Sequence, residues 1–133
     1  MAKQILALDV GEKRIGVAIA DLSIKIAIVY DTIETEGTDV LKEIAQIVDM
    51  ENISKIIVGY PRNQSGEDTA QTQYVIDFVK TLETLGIPIE YQDESVTSIQ
   101  AEKILQDRKK PYKKGDIDAL SASIILQDYL ELH

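Results

Sequence analysis

Residues 4–21 constrain this chain more than any other stretch. Ile5, Leu6, Ala7 and Leu8 form an unbroken apolar run that ends on Asp9 and Val10, which reads as a core strand carrying one carboxylate near its end. Residues 11–13 (Gly-Glu-Lys) supply a turn. Ile15, Val17 and Ile19 then alternate with small residues over 14–21, the period of a second strand hairpin-paired to the first. A charge at the end of a buried strand is expensive unless it is paired or bound to metal. The plainer alternative for Asp9 is an acid that caps the turn over Gly11.

The rest of the pattern extends the sheet. Residues 25–33 predict a third strand, 55–59 a short one buried on both faces, and 87–91 a fifth. Between them, Thr38 or Asp39 caps a helix with Val40, Leu41, Ile44, Ile47 and Val48 inward. A second helix over 69–85 turns Val75, Phe78, Val79, Leu82 and Leu85 inward, and Gly86 ends it. Thr97 to Gln100 fits a capping box that opens a helix to about Arg108. A basic loop at 109–115 leads to a last helix over 116–130, with Leu120, Ile124, Leu126 and Leu130 among its apolar positions. Three meandering strands followed by helix–strand crossovers imply a five-stranded mixed α/β sheet with helices on both faces, in a single domain spanning residues 1–133. Ligands of such sheets sit beyond the carboxyl ends of the central strands.

Composition narrows the chemistry. The chain has no cysteine, and its one histidine is His133. Thiolate catalysis, disulfides and thiolate metal sites are excluded, so any metal is held by oxygen ligands, which suit magnesium or manganese. No apolar run approaches a membrane span and no signal peptide is evident, so the expected compartment is the cytoplasm. Net charge is −9, which taken alone argues against a polyanionic partner. The charge is uneven, however: residues 31–51 carry seven acids and one lysine, whereas residues 103–114 carry six bases and one acid.

Three acids stand where strands or helices end. Besides Asp9, Glu94 follows the fifth strand and would approach Asp9 if their two strands are parallel and adjacent; a solvated loop acid is the alternative. Asp116 and Asp118 both lie in the first turn of the last helix, where the dipole favours an anion, and only one of them can face a site. Ala119 and Ala122 would let this helix approach the sheet closely. Carboxylates from two strand ends and a helix start can bind one or two divalent ions, and two ions about 4 Å apart support phosphodiester cleavage. Lys13 and Arg14 stand where they could meet phosphates, or form an ordinary solvated turn. The loop after Gly59, with Arg62 and Asn63, could grip a substrate backbone or simply join strand to helix.

These residues carry a resemblance. Leu8-Asp9-Val10-Gly11 with residues 13–18, Ile57-Val58-Gly59-Tyr60-Pro61 with Asn63 and Gly66, Asp93-Glu94 with Thr97 and Ser98, and residues 118–122 with Ile125, Leu126 and Gln127 follow one another from end to end. In these motifs the chain resembles the YqgF/RuvX family of Holliday-junction-resolvase-like and pre-16S rRNA processing nucleases. The resemblance implies an RNase H-like fold and a metal-dependent nuclease with Asp9, Glu94 and Asp118 as catalytic, metal-binding acids. It selects Asp118 over Asp116. It implies magnesium or manganese, one or two ions, and a structured-RNA substrate such as precursor 16S rRNA in ribosomal precursor particles, or branched DNA. Ser95 stands where the family usually has an arginine. Substrate-gripping candidates are Lys13, Arg14, Arg62 and Asn63, and the basic loop with Arg108, Lys109, Lys110, Lys113 and Lys114. Two other readings are weaker. A non-catalytic nucleic-acid-binding domain is disfavoured by the presence of all three acids, and a sugar-kinase or actin-like ATPase needs two lobes where 133 residues make one.

Overall fold

The computed structural model describes residues 3–61, 69–94, 97–108 and 110–132, with the backbone alone for 97–99. Arg62, Asn63, Ser95, Lys109 and the Thr97 capping side chain therefore lie outside the described residues.

 Ten elements follow one another: β1 (Gln4–Val10), β2 (Arg14–Asp21), β3 (Ile28–Glu34), α1 (Val40–Met50), β4 (Ile53–Tyr60), α2 (Ala70–Leu82) with a 3-10 turn at Glu83–Leu85, β5 (Ile89–Asp93), α3 (Thr97–Asp107) and α4 (Lys114–Leu132). The strands form one sheet in the order β3-β2-β1-β4-β5. β1, β2 and β3 pair antiparallel, while β4 and β5 join β1 in parallel. The carboxyl ends of β1, β4 and β5 therefore open on one side, with the start of β2 beside them.

The alternation of side chains along β1 and β2 builds two different faces. Leu6, Leu8, Val10, Ile15 and Val17 point one way and pack with Ile44 and Ile47 of α1 and Val75, Val79 and Leu82 of α2. Ile5, Ala7, Ala18 and Ala20 point the other way and pack under Ala122, Ile125, Leu126, Tyr129 and Leu130 of α4. Ala7, Ala18 and Ala20 keep the middle of this second face low, so α4 lies close to the sheet. The expected closeness at Ala119 and Ala122 is observed: both are buried. At the far end of α4, the Tyr129 hydroxyl donates to Glu90 and lies 3.1 Å from Lys55 Nζ, which ties the helix to β4 and β5.

The helix starts follow local capping chemistry. Asp39 caps α1 by accepting from Lys42 N–H, and Thr69 caps α2 in a reciprocal box with Thr72. Gly86 takes the left-handed conformation that ends the following turn (φ 74°). Several expected boundaries move, among them β4 (Ile53–Tyr60 rather than 55–59) and the start of α4 (Lys114 rather than residue 116). β3 begins at Ile28 rather than residue 25, because Lys25 is itself left-handed (φ 61°) and the Ala27 N–H goes to the Gln127 side chain. β5 runs from Ile89 to Asp93, two residues later than the apolar pattern suggests: Pro88 has no backbone N–H to donate to a ladder, although its carbonyl already accepts from Ile56 N–H of β4.

One buried hydroxyl, Ser121 Oγ on α4, has no hydrogen-bond partner among the described residues. An unsatisfied buried hydroxyl costs about 1–3 kcal/mol, and alanine is the better helix former. Ser121→Ala is expected to raise stability by about 1 kcal/mol in urea unfolding; a loss of that size would contradict this account of the packing.

Candidate active site

Asp9 lies on the α4 face of β1, directly opposite Gly16 in the β1–β2 register. A methyl group built at Gly16 would stand 1.9 Å from the Asp118 carbonyl oxygen. The backbone of α4 thus rests on the backbone of β2 at this point and brings Asp118 beside Asp9; because α4 begins at Lys114, two residues earlier than expected, only Asp116 of the two acids lies in its first turn. No residue with a side chain fits there without moving the helix.

Glu94 arrives by a different route. The sequence made the approach of Glu94 to Asp9 conditional on β1 and β5 being adjacent; they are parallel, but β4 lies between them. Glu94 nonetheless forms a side-chain hydrogen bond with Asp9. The reason is Gly59 on the intervening strand: a methyl group there would meet the Glu94 carboxyl at 2.7 Å and Ile125 Cδ1 at 2.6 Å. The glutamate crosses β4 through the space that a side chain would fill. Its backbone N–H is held by the Tyr60 carbonyl at 3.3 Å.

The electrostatics follow from this crowding. Burial pushes the Asp9 carboxyl up from 3.8 to about 6; the hydrogen bond with Glu94 opposes the rise, and the charge of Asp118 adds to it. Asp118 in turn accepts from Arg14 Nε at 2.7 Å, an ion pair with both side chains a quarter exposed. Arg14 is therefore engaged with the third acid. Lys13 is exposed beside it. Gln71 at the start of α2, a residue the sequence did not single out, donates through its amide to the Val10 carbonyl at 2.8 Å. With Gly11, Glu12, Lys13, Arg14 and Asp118 it lines a cleft of about 370 Å³.

Asp116 does something else. Its Oδ2 accepts from the N–H of Lys113, the residue before the helix, at 2.9 Å, the return half of a capping box. The two acids are thus divided: Asp116 closes the helix start and Asp118, two residues further along α4, pairs with Arg14 of β2. Arg108, Lys110, Lys113 and Lys114 are exposed in or next to the loop between α3 and α4.

Asp9, Glu94 and Asp118 offer oxygen donors only, the set suited to a hard divalent cation. Two carboxyls in contact, with a third acid acting on Asp9, make a place where a cation relieves repulsion. Among the described residues no three acidic or histidine side chains stand close enough together to form a finished cation cage; Arg14 holds Asp118.

A five-stranded mixed sheet in this order, with Asp9 near the carboxyl end of β1, Glu94 just beyond β5 and Asp118 on α4 beside them, defines an RNase H-like domain of the nuclease class. The comparisons agree. The profile of the RuvX family, described as Holliday junction resolvase, matches residues 3–132, and the chain belongs to this family. A Chloroflexus aurantiacus protein provisionally named pre-16S rRNA nuclease is 44% identical over 131 residues, covering 96% of this chain and 86% of that one. A Caldanaerobacter subterraneus protein of the same name is 41% identical over 133 residues, covering 96% of each. A T. thermophilus RuvC solved in complex with a Holliday junction substrate superposes with a TM-score of 0.59 over 98% of this chain and 94% of that one; at 12% identity it shows the shared fold.

The raised value of Asp9 sets a pH dependence in the absence of divalent cations. Between about 4 and about 6 the folded protein holds a proton that the unfolded chain has released. The contribution to stability is therefore fully present below that window and lost as pH rises through it. Relative to Asp9→Asn, the wild-type protein in chelator is expected to lose up to about 3 kcal/mol between pH 4 and pH 7. Parallel stability curves for the two proteins would refute the buried, crowded state of this carboxyl.

Proposed function

We propose that this chain is a divalent-metal-dependent nuclease that hydrolyses phosphodiester bonds in structured nucleic acid, and that its substrate is the 5′ end of precursor 16S rRNA. Asp9, Glu94 and Asp118 are the acids that hold magnesium or manganese. The observation that carries the reading is the hydrogen-bonded contact of Asp9 with Glu94 across Gly59, with Asp118 acting on the same carboxyl. When bound, one or two such ions supply Lewis-acid activation of water and neutralise charge on the leaving oxygen.

The chain's own residues do the rest. Asp9 and Glu94 fix the donor positions on a rigid sheet. Arg14 orients Asp118 through Nε, and an arginine has further N–H donors for a phosphate oxygen. Lys13, Arg62 and Asn63 serve the substrate at the strand ends, and Arg108, Lys109, Lys110, Lys113 and Lys114 serve it from the loop before α4. The relatives' names support precursor 16S rRNA; on this reading the substrate is met in ribosomal precursor particles in the cytoplasm. The family's description favours four-way DNA as a second substrate, which the same acids would serve. Cleavage of both labelled substrates, with and without magnesium or manganese, separates the two.

Two outcomes test the residue assignments. Asp118→Asn is expected to reduce cleavage to background, while Asp116→Asn retains activity within a few-fold, because asparagine can accept the same Lys113 N–H. The reverse pattern would show that the wrong acid was chosen. Replacing Lys109, Lys110, Lys113 and Lys114 with serine is expected to weaken substrate binding and flatten its salt dependence by about one unit of log–log slope per lost phosphate contact. An unchanged slope would make the basic loop a bystander.

A further inference from the structure

Across the first turn of α4 from the carboxylates lies a second cavity, of about 290 Å³. Val29 of β3, Leu120 of α4 and Pro111 and Tyr112 of the connecting loop give it an apolar lining. Val29 is 46% exposed and Tyr112 36%, so apolar and aromatic surface stands open to solvent here. Arg108 and Lys110 line the same cavity and bring two cations to it. Asp116 also lines it, but its Oδ2 is committed to the Lys113 N–H, and this bond fixes the end of the loop to the helix. Thr32 of β3 donates to the Gly115 carbonyl at 2.7 Å and fixes the other side. The cavity is thus held by two hydrogen bonds at the helix start.

An aromatic ring in an apolar recess with guanidinium and ammonium groups beside it matches one ligand chemistry: a flat, uncharged ring joined to an anion. Resting on the nuclease reading, we propose that this cavity is a subsite for one unpaired nucleotide of the substrate strand, with its base against Tyr112 and its phosphate on Arg108 and Lys110. A base within a duplex is stacked on both faces and has none free for the ring, so the nucleotide taken here is unpaired. Asp116 and Asp118 are two residues apart on the helix and face opposite ways, so the subsite and the carboxylates flank the same turn, separated by about one helix diameter, roughly 10 Å. A strand held at the carboxylates reaches the cavity by crossing Lys113 and Lys114. The subsite thereby selects substrates that are single-stranded next to the cleaved bond, a preference the carboxylates alone cannot express.

The chain contains no tryptophan, so Tyr112→Trp places a single fluorescent reporter in the cavity. With chelator present to prevent cleavage, the full-length variant is titrated with a pentaribonucleotide, a pentadeoxyribonucleotide, a blunt duplex and inorganic phosphate. Quenching by the single strands is expected, with little from the duplex or from phosphate, and the two pentanucleotides separate ribose from deoxyribose preference. Adding Arg108→Ser and Lys110→Ser should weaken that binding about tenfold. In cleavage assays, Tyr112→Ala should raise KM about tenfold on substrates with unpaired flanking nucleotides, at unchanged kcat, and Tyr112→Phe should restore it. Absent quenching, equal quenching by the blunt duplex, or an unchanged KM for Tyr112→Ala each overturns the subsite. If cleavage persists in that case, the nuclease reading stands without it; quenching in a protein that cleaves nothing would keep the subsite and remove the nuclease reading.

Discussion

The contact of α4 with β2 at Gly16 is a backbone-to-backbone approach, and the geometry of the site rests on it. It exists because the face of β1 and β2 beneath the helix is built from Ala7, Gly16, Ala18 and Ala20. The opposite face carries the large residues, Leu6, Leu8, Val10, Ile15 and Val17, under α1 and α2. A sheet with bulky residues on both faces would hold α4 farther away, and Asp118 with it. The same helix is fastened at its far end through Tyr129, Glu90 and Lys55, so its position is set at both ends.

That approach creates an electrostatic cost that a stable domain would ordinarily avoid. Asp9 is buried, in contact with Glu94 and within the field of Asp118. Such an arrangement opposes ionisation and is poor design for stability alone. It is coherent as a place prepared for positive charge. The charge is also unevenly spread along the chain: Arg108, Lys110, Lys113 and Lys114 are exposed in or next to the loop between α3 and α4, and the acids of residues 31–51 belong to β3, α1 and their surroundings. A net charge of −9 therefore says little about the surface that a polyanion would meet.

Much of this was legible locally. The helices announced themselves by apolar spacing, the first with a cap at Thr38 or Asp39, and Asp9 stood out as a lone acid in an apolar strand. The route of Glu94 did not, because strand order is a property of the whole sheet: β4 lies between β1 and β5, and only the missing side chain at Gly59 lets the glutamate through. The start of β3 was misplaced for a backbone reason, the left-handed Lys25, which apolar periodicity does not encode. Local pattern also left Asp116 and Asp118 equivalent. The resemblance chose Asp118, and the structure shows the different partners, Lys113 for one and Arg14 for the other.

Gly16 has a consequence for descent as well as for shape. Every coded substitution at that position adds at least one carbon where the Asp118 carbonyl already stands. A lineage cannot drift through it by small steps; it keeps glycine or withdraws the helix. A related chain with any side chain at this position would have surrendered the placement of its third acid even if all three acids survived in its sequence. For sorting working enzymes from retired ones, this glycine would be a more telling letter than the carboxylates themselves.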